Sequence, residues 1–237
     1  MGRGTSKVGG GSTTVNPKVE KTLSQVIKRT ANLKKEQYRV INEDGEVVFM
    51  KQGKNDRVEM TVGEKRQHLY GATTTHNHPQ VENGMGGTFS PNDITDFGYG
   101  AKEIVVSSNE GTYRLKNLNF GKPNQTASWI KMRDEMQAVL DRHSTTNNIK
   151  QANEMMKSSK VGKEMSKIST QWVKRKNAGA SQKELDKLGN KYDKLATQYK
   201  TERSKILRRL EVEPMNDYLK KNAKKYGFSY TYPKNAY

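Results

Sequence analysis

The chain has 237 residues, no cysteine and a net charge of +18. That length allows one domain with extensions or two small ones, and the missing cysteines exclude disulfides and thiolate metal sites. Only 32% of the residues are hydrophobic, which is low for one compact core of this size, so a small domain with polar extensions is expected. No apolar run approaches a membrane span and nothing resembles a secretory signal, so the expectation is a soluble, cytoplasmic protein.

The charge is unevenly placed. Residues 1–35 carry 8 Lys/Arg and 1 acid, residues 36–121 carry 9 and 12, and residues 122–237 carry 26 and 12. The middle is slightly acidic and both flanks are basic. The flanks are candidates for meeting a polyanion such as nucleic acid, against the plainer reading of solvated lysine-rich helices.

Residues 1–15, "MGRGTSKVGGGSTTV", are rich in Gly, Ser and Thr and read as a flexible basic arm. Asn16-Pro17 then supplies an N-cap and a proline at the first helical position. Val19, Leu23, Val26 and Ile27 share one face of the short helix that follows. From Glu36 the period becomes that of strands. "QYRVI" and "EVVFM" flank Asp44-Gly45, a strong hairpin signal. "RVEMTV" reads as a further strand, and so does "YGATTTHNH". "SPNDITDFG" reads as a short helix capped by Ser90, with Pro91 at its first position. "EIVVSS" and "GTYRLKNL" form a second hairpin around "NEG". The result is a small α/β domain over 16–121.

Residues 122–237 read as a basic helical extension. "SWIKMRDEMQAVL" places Trp129, Met132, Met136, Val139 and Leu140 on one stripe. The stretch from Thr145 to Lys167 is polar and reads as loosely ordered. Ser181 and Glu184 form a capping-box pattern. Leu185, Leu188, Tyr192, Leu195, Tyr199 and Ile206 follow as a heptad seam, so a helical hairpin or helix–helix self-association is expected. Pro214 reads as opening a last helix that Gly227 ends. Phe228, Tyr230 and Tyr232 alternate on one face of a closing strand. With Lys220, Lys221, Lys224 and Lys225 those aromatics suit single-stranded nucleic acid, though such a strand more often packs its aromatic face.

The chemistry concentrates in Ala72 to Phe97. On a strand, His76 and His78 face the same side and can point at one ion. Asp93 supplies a third ligand if the helix folds back over the strand end. Two imidazoles and a carboxylate leave one position for water, the plan of a catalytic zinc site, and Fe²⁺ or Mn²⁺ fit the same donors. His68 and His143 lie in polar surroundings and read as surface residues.

His-x-His-Pro followed by a glycine-rich turn and Ser-x-x-Asp resembles the signature of the JAMM (MPN-type) metalloproteases. "HNHP" and "FSPNDI" are especially similar to the RadC branch and to JAMM-like domains of phage minor head and morphogenesis proteins. The resemblance covers Glu36 to Leu118. It implies a cytidine-deaminase-like β-sheet with flanking helices, and zinc held by His76, His78 and Asp93. It implies that Ser90 supports the bound water and the developing oxyanion. A glutamate on an early strand is the family's general base. Glu36 takes that role because it precedes the Asp44-Gly45 hairpin, with Glu46 and Glu59 as rivals. Residues Pro79 to Phe89 make a longer insert than RadC-type proteins carry, and "QVENGMGG" reads as a flap beside the metal.

Three functions follow from these residues. One is a JAMM-type peptidase acting on a protein substrate at a peptide or isopeptide bond. Another is a phage virion or morphogenesis protein, packaged in the particle, whose basic flanks bind DNA or neighbouring subunits and whose metal site is weak or inactive. A metal-dependent nuclease ranks below both, since the literal "HNH" lacks the separated histidine elements of that class and the site segment is acidic.

Overall fold

The computed structural model describes residues 5–8, 16–53, 58–79, 87–108, 111–122, 125–143 and 145–233. The fold is α/β, with one mixed sheet flanked by helices. The strands are β1 (Thr5–Val8), β2 (Gln37–Ile41), β3 (Val47–Gln52), β4 (Thr73–Asn77), β5 (Glu103–Ser108), β6 (Gly111–Asn117) and β7 (Phe228–Pro233). They lie in the order β1-β7-β6-β5-β4-β2-β3. Among the described residues, only β4 and β5 pair in parallel; the other neighbours are antiparallel.

Helix α1 (Pro17–Thr30) begins as its sequence requires. Asn16 accepts from the backbone of Lys18 and Val19, and Pro17 starts the helix. Val19 and Leu23 pack with Ile41 and Val105 on one face of the sheet, joined by Ile27. The β2–β3 hairpin turns at Gly45, whose φ of +80° suits glycine. A Cβ there would come within 2.7 Å of the Lys18 carbonyl group. Thr22 Oγ1 donates to Gly45 O and Asn16 Nδ2 to Glu43 O, so hairpin and helix brace each other.

The opposite face carries the larger core. Ile104, Val106, Tyr113 and Leu115 of the sheet meet Ile94, Phe97, Met132, Met136, Met215, Leu219 and Tyr230. Helix α4 (Gln125–Arg142) brings Met132, Met136 and Val139 to that core from the expected stripe, with Trp129 against it and Leu140 exposed. Phe228 and Tyr230 are buried there too, with Tyr232 packed beside them. The aromatic face of the closing strand is therefore core, as the plainer reading had it.

Several expectations are corrected. Thr5–Val8 do not hang free; their backbone pairs with β7. The rest of the expected arm lies outside the described residues. "RVEMTV" is not a strand. Arg57 lies outside the described residues, Val58–Thr61 are irregular, and Thr61 caps helix α2 (Val62–His68) in a full capping box with Glu64. Satisfying two helix-end donors there outweighs the strand preference of Val and Thr. The expected helix from Pro91 is instead a run of tight turns leading into the single-turn helix α3 (Thr95–Gly98). The polar stretch from Thr145 forms ordinary helices, α5 (Thr145–Ser158) and α6 (Lys160–Asn177), separated at Ser159. Straight-chain residues with good helix propensity explain that order despite few apolar side chains. Pro214 opens no helix; it lies within α7 (Gln182–Asn222). That helix is followed by a short 3₁₀ turn that Gly227 closes at φ +85°.

The domain boundary also moves. Residues 1–143 and 211–237 form one compact unit, and residues 144–210 form another. The chain leaves the sheet unit after α4 and returns to it, because Met215, Leu219, Ala223 and β7 complete its core. In the helical unit, Leu185 and Leu195 of the heptad seam are buried, and Leu188 and Tyr192 border a groove against Ile168 and Trp172 of α6. Among the described residues, no helix is long and apolar enough to cross a membrane.

Candidate metal centre

The site sits at the carboxyl end of β4, where the chain leaves the sheet before returning as the parallel strand β5. In open α/β sheets that position collects ligand-binding groups, because strand ends and crossover loops converge there. His76 pairs with Tyr38 on one side and Val106 on the other. His78 extends the ladder, its N–H donating to Ser107 O at 2.8 Å. The alternation of the strand then aims both imidazoles into one cavity.

That cavity has a volume of about 610 Å³ and is lined by Glu36, His76, His78, Ser90 and Asp93, all picked from the sequence. His76 Nε2 lies 3.1 Å from His78 Nε2, 3.3 Å from Asp93 Oδ1 and 4.0 Å from Glu36 Oε1. Ligand atoms of Glu36, His76 and His78 all lie within 4.8 Å of one another. Asp93, expected as the third ligand, is outside that set and adjoins it through His76, whereas Glu36, expected as the base, is within it. Its other oxygen, Oδ2, accepts from the Ser90 N–H at 2.6 Å and from Ser90 Oγ at 3.0 Å. Ser90 therefore turns Asp93 so that Oδ1 faces the imidazole. Of the rival glutamates, Glu59 lines the cavity, whereas Glu46 lies at the hairpin tip and bonds Asn42.

The electrostatics favour a cation. Burial by itself depresses the pKa of His76, but Asp93 and Glu36 outweigh it and hold the imidazole up at about 9. Burial and the charge of His76 push His78 down to about 4. Burial opposes the Asp93 carboxylate, yet His76 and the Ser90 N–H hold it down at about 2. Two carboxylates thus meet two imidazoles, one of them protonated. A divalent ion fits this nitrogen and oxygen donor set better than a single proton does.

Sequence reasoning missed four contributors. Asn77, between the histidines and fully buried, accepts from Gln37 N at 2.8 Å and donates to Lys35 O at 3.2 Å. Those two bonds clip the backbone on both sides of Glu36, and Gly53 N adds a 2.8 Å bond to Glu36 O. Tyr38 stacks on His76 with the ring planes 13° apart. Its hydroxyl donates to Asp96 Oδ2 at 2.5 Å. Asp96 also accepts from Lys65 Nζ at 3.0 Å and Thr74 Oγ1 at 3.4 Å. Burial raises the Asp96 carboxyl pKa, with Lys65 pulling the other way. The His76 Nδ1 atom is buried with no hydrogen-bond partner, so the stack on Tyr38 fixes the ring that a second bond usually would. A helical period starting at Thr61 would have exposed Lys65; nothing local marks Tyr38, Asn77 or Asp96. The "QVENGMGG" flap lies outside the described residues except for Gly87.

The fold and site define an α/β protein with a buried His/carboxylate centre. The chain matches no family model, no curated protein and no solved structure.

Proposed function

We propose that this protein is a metal-dependent peptidase of the JAMM type, acting on a peptide or isopeptide bond of a protein substrate. The observation that carries the reading is the convergence of Glu36, His76, His78, Ser90 and Asp93 on one cavity from three separate segments. His76, His78 and Asp93 would hold the ion, with Zn²⁺ the best match to the donors. When bound, the ion supplies Lewis acidity that polarises a carbonyl and acidifies water.

The remaining work falls to the chain's own side chains. Glu36 is 7% exposed and clipped by Asn77, which holds its carboxylate at the cavity. It accepts the proton of the attacking water and returns it to the leaving amine. Ser90 keeps Asp93 oriented through two hydrogen bonds. Tyr38 keeps the His76 ring in plane. Val58 and Met60 give the cavity a wall suited to an apolar substrate side chain. The test is a comparison of wild type with Glu36→Gln on a peptide library read by mass spectrometry. Hydrolysis is expected to fall by roughly 10²–10⁴-fold with metal content unchanged. Equal hydrolysis by both proteins would remove Glu36 from the mechanism.

A second reading is a phage morphogenesis component that carries this fold as a scaffold. It is favoured by the charge of residues 144–210, which hold 17 Lys/Arg against 6 Asp/Glu.

A further inference from the structure

We infer that the cleft between α6 and α7 is a binding site for the phosphate backbone of duplex nucleic acid. The inference deepens the second reading above and is independent of whether the sheet domain hydrolyses anything.

The cleft has a volume of about 380 Å³ and is lined by Lys160, Lys163, Lys167, Gln171, Glu164 and Lys191, with Ile168 at its floor. Lys160, Lys163 and Lys167 recur along one face of α6 and are all exposed. Lys191 is satisfied by Glu164 at 3.0 Å. The other three lysines have no ion-pair partner among the described residues, so their charge is available to a ligand.

Their placement works against local stability. Lys160 and Lys163 occupy the first turn of α6, where no acid is present. The positive end of a helix disfavours cations. Two uncompensated ammonium groups at that end, with Lys167 a turn further along the same face, are explained by an anion that covers them.

The lining also selects the kind of anion. It offers mainly lysine point charges, with Gln171 the one amide and Glu164 engaged by Lys191, a set dominated by groups that hold backbone phosphates. Among the described residues no aromatic ring lines this cleft itself; Trp172 and Tyr192 line the groove beyond Ile168, so a stacked single strand would need both grooves, whereas a duplex backbone needs only the lysines. Lys160 to Lys167 spans about 10 Å of helix, the rise of about three nucleotides of one strand. A lipid surface fits less well. The exposed large apolar residues of this unit, Met155, Val173 and Tyr192, are not among the cleft residues, so the lining itself offers no exposed apolar side chain for a bilayer.

The test uses the full chain and fluorescence anisotropy with a mixed-sequence DNA duplex. The variant Lys160→Gln/Lys163→Gln/Lys167→Gln is compared with Lys183→Gln/Lys187→Gln/Lys194→Gln. The second removes the same charge from exposed positions of α7 that do not line this cleft. The cleft variant is expected to weaken binding on the order of 10²-fold at 0.1 M salt and to lower the salt slope by about 2.7. The control is expected to weaken it less than about threefold, and a Lys→Arg triple at the cleft positions to restore binding. Circular dichroism of each variant verifies the helices. Equal weakening by the two glutamine triples would overturn the site, leaving only diffuse charge. So would unchanged binding by the cleft variant, or a wild type that prefers phosphatidylserine vesicles or single-stranded DNA to the duplex.

Discussion

Replacing Asp96 with alanine tests the internal frame that supports the metal site. The Asp96 carboxylate is 3% exposed and accepts hydrogen bonds from Tyr38, Lys65 and Thr74. Asp96→Ala strands the Lys65 ammonium and the Tyr38 hydroxyl. Breaking a buried ion pair from one side costs about 3–5 kcal/mol. Lys65 keeps Thr95 Oγ1 at 2.8 Å and some access to solvent, which places the cost near the low end, about 3 kcal/mol. For a chain of this size that lowers Tm by roughly 6–12 °C. Urea denaturation followed by circular dichroism measures it, as a fall in midpoint at constant slope. Tyr38→Phe removes one bond to a charged acceptor and is expected to cost about 1.5–3 kcal/mol. The double variant should lose less than the sum, because both changes delete the same contact. Burial already disfavours the Asp96 carboxylate, so the paired apolar replacement Lys65→Met/Asp96→Leu should recover much of the loss. A loss below about 1 kcal/mol for Asp96→Ala, or strict additivity with Tyr38→Phe, would show that Asp96 does not anchor this frame.

Gly45→Ala should destabilise the protein by more than about 1 kcal/mol, since φ is +80° and the added Cβ meets the Lys18 backbone; a denaturation midpoint unchanged from wild type would contradict this. Asn77→Ala removes the clip around Glu36 and should cost about 1–3 kcal/mol in stability while lowering hydrolysis more than metal affinity, as separate titrations of each would reveal. Zinc affinity should rise about tenfold per pH unit between about 7 and 9, because His76, held at about 9, must release one proton to bind the ion while His78 and Asp93 are already deprotonated. In the metal-free protein the same raised pKa adds stability that is fully present below the unfolded value of about 6.5 and is lost as pH rises through about 9. Isothermal titration across that range checks the first, and thermal melts of His76→Gln against wild type check the second.

The local signals that could be read in the sequence were those whose physics is local. Asn16-Pro17, Asp44-Gly45, the alternating runs of β2 and β6 and the Thr- and Val-rich runs of β4 and β5 specify their own geometry, and each element formed where its pattern lies. The histidine pair was legible because strand alternation alone puts His76 and His78 on one side. The same local logic misled where a competing local signal was stronger. At Thr61 the capping box with Glu64 overrode a β-rich run. At Pro214 the proline's missing N–H suggested a helix start, but Met215 and Leu219 bury in the sheet core and the helix runs through. What was not legible depends on contacts across long separations. Asn77 finds Lys35 and Gln37, Tyr38 finds Asp96, and β1 finds β7. No spacing in the chain announces those pairs.

Elemental analysis of the purified full chain, beside its His76→Ala/His78→Ala variant, decides whether the site binds a metal. The expected result is close to one zinc per wild-type chain and essentially none in the double variant, with both proteins retaining their helical signal. Stoichiometric metal persisting in the double variant, or a wild type that stays metal-free when refolded with zinc, would contradict a metal centre at the carboxyl end of β4.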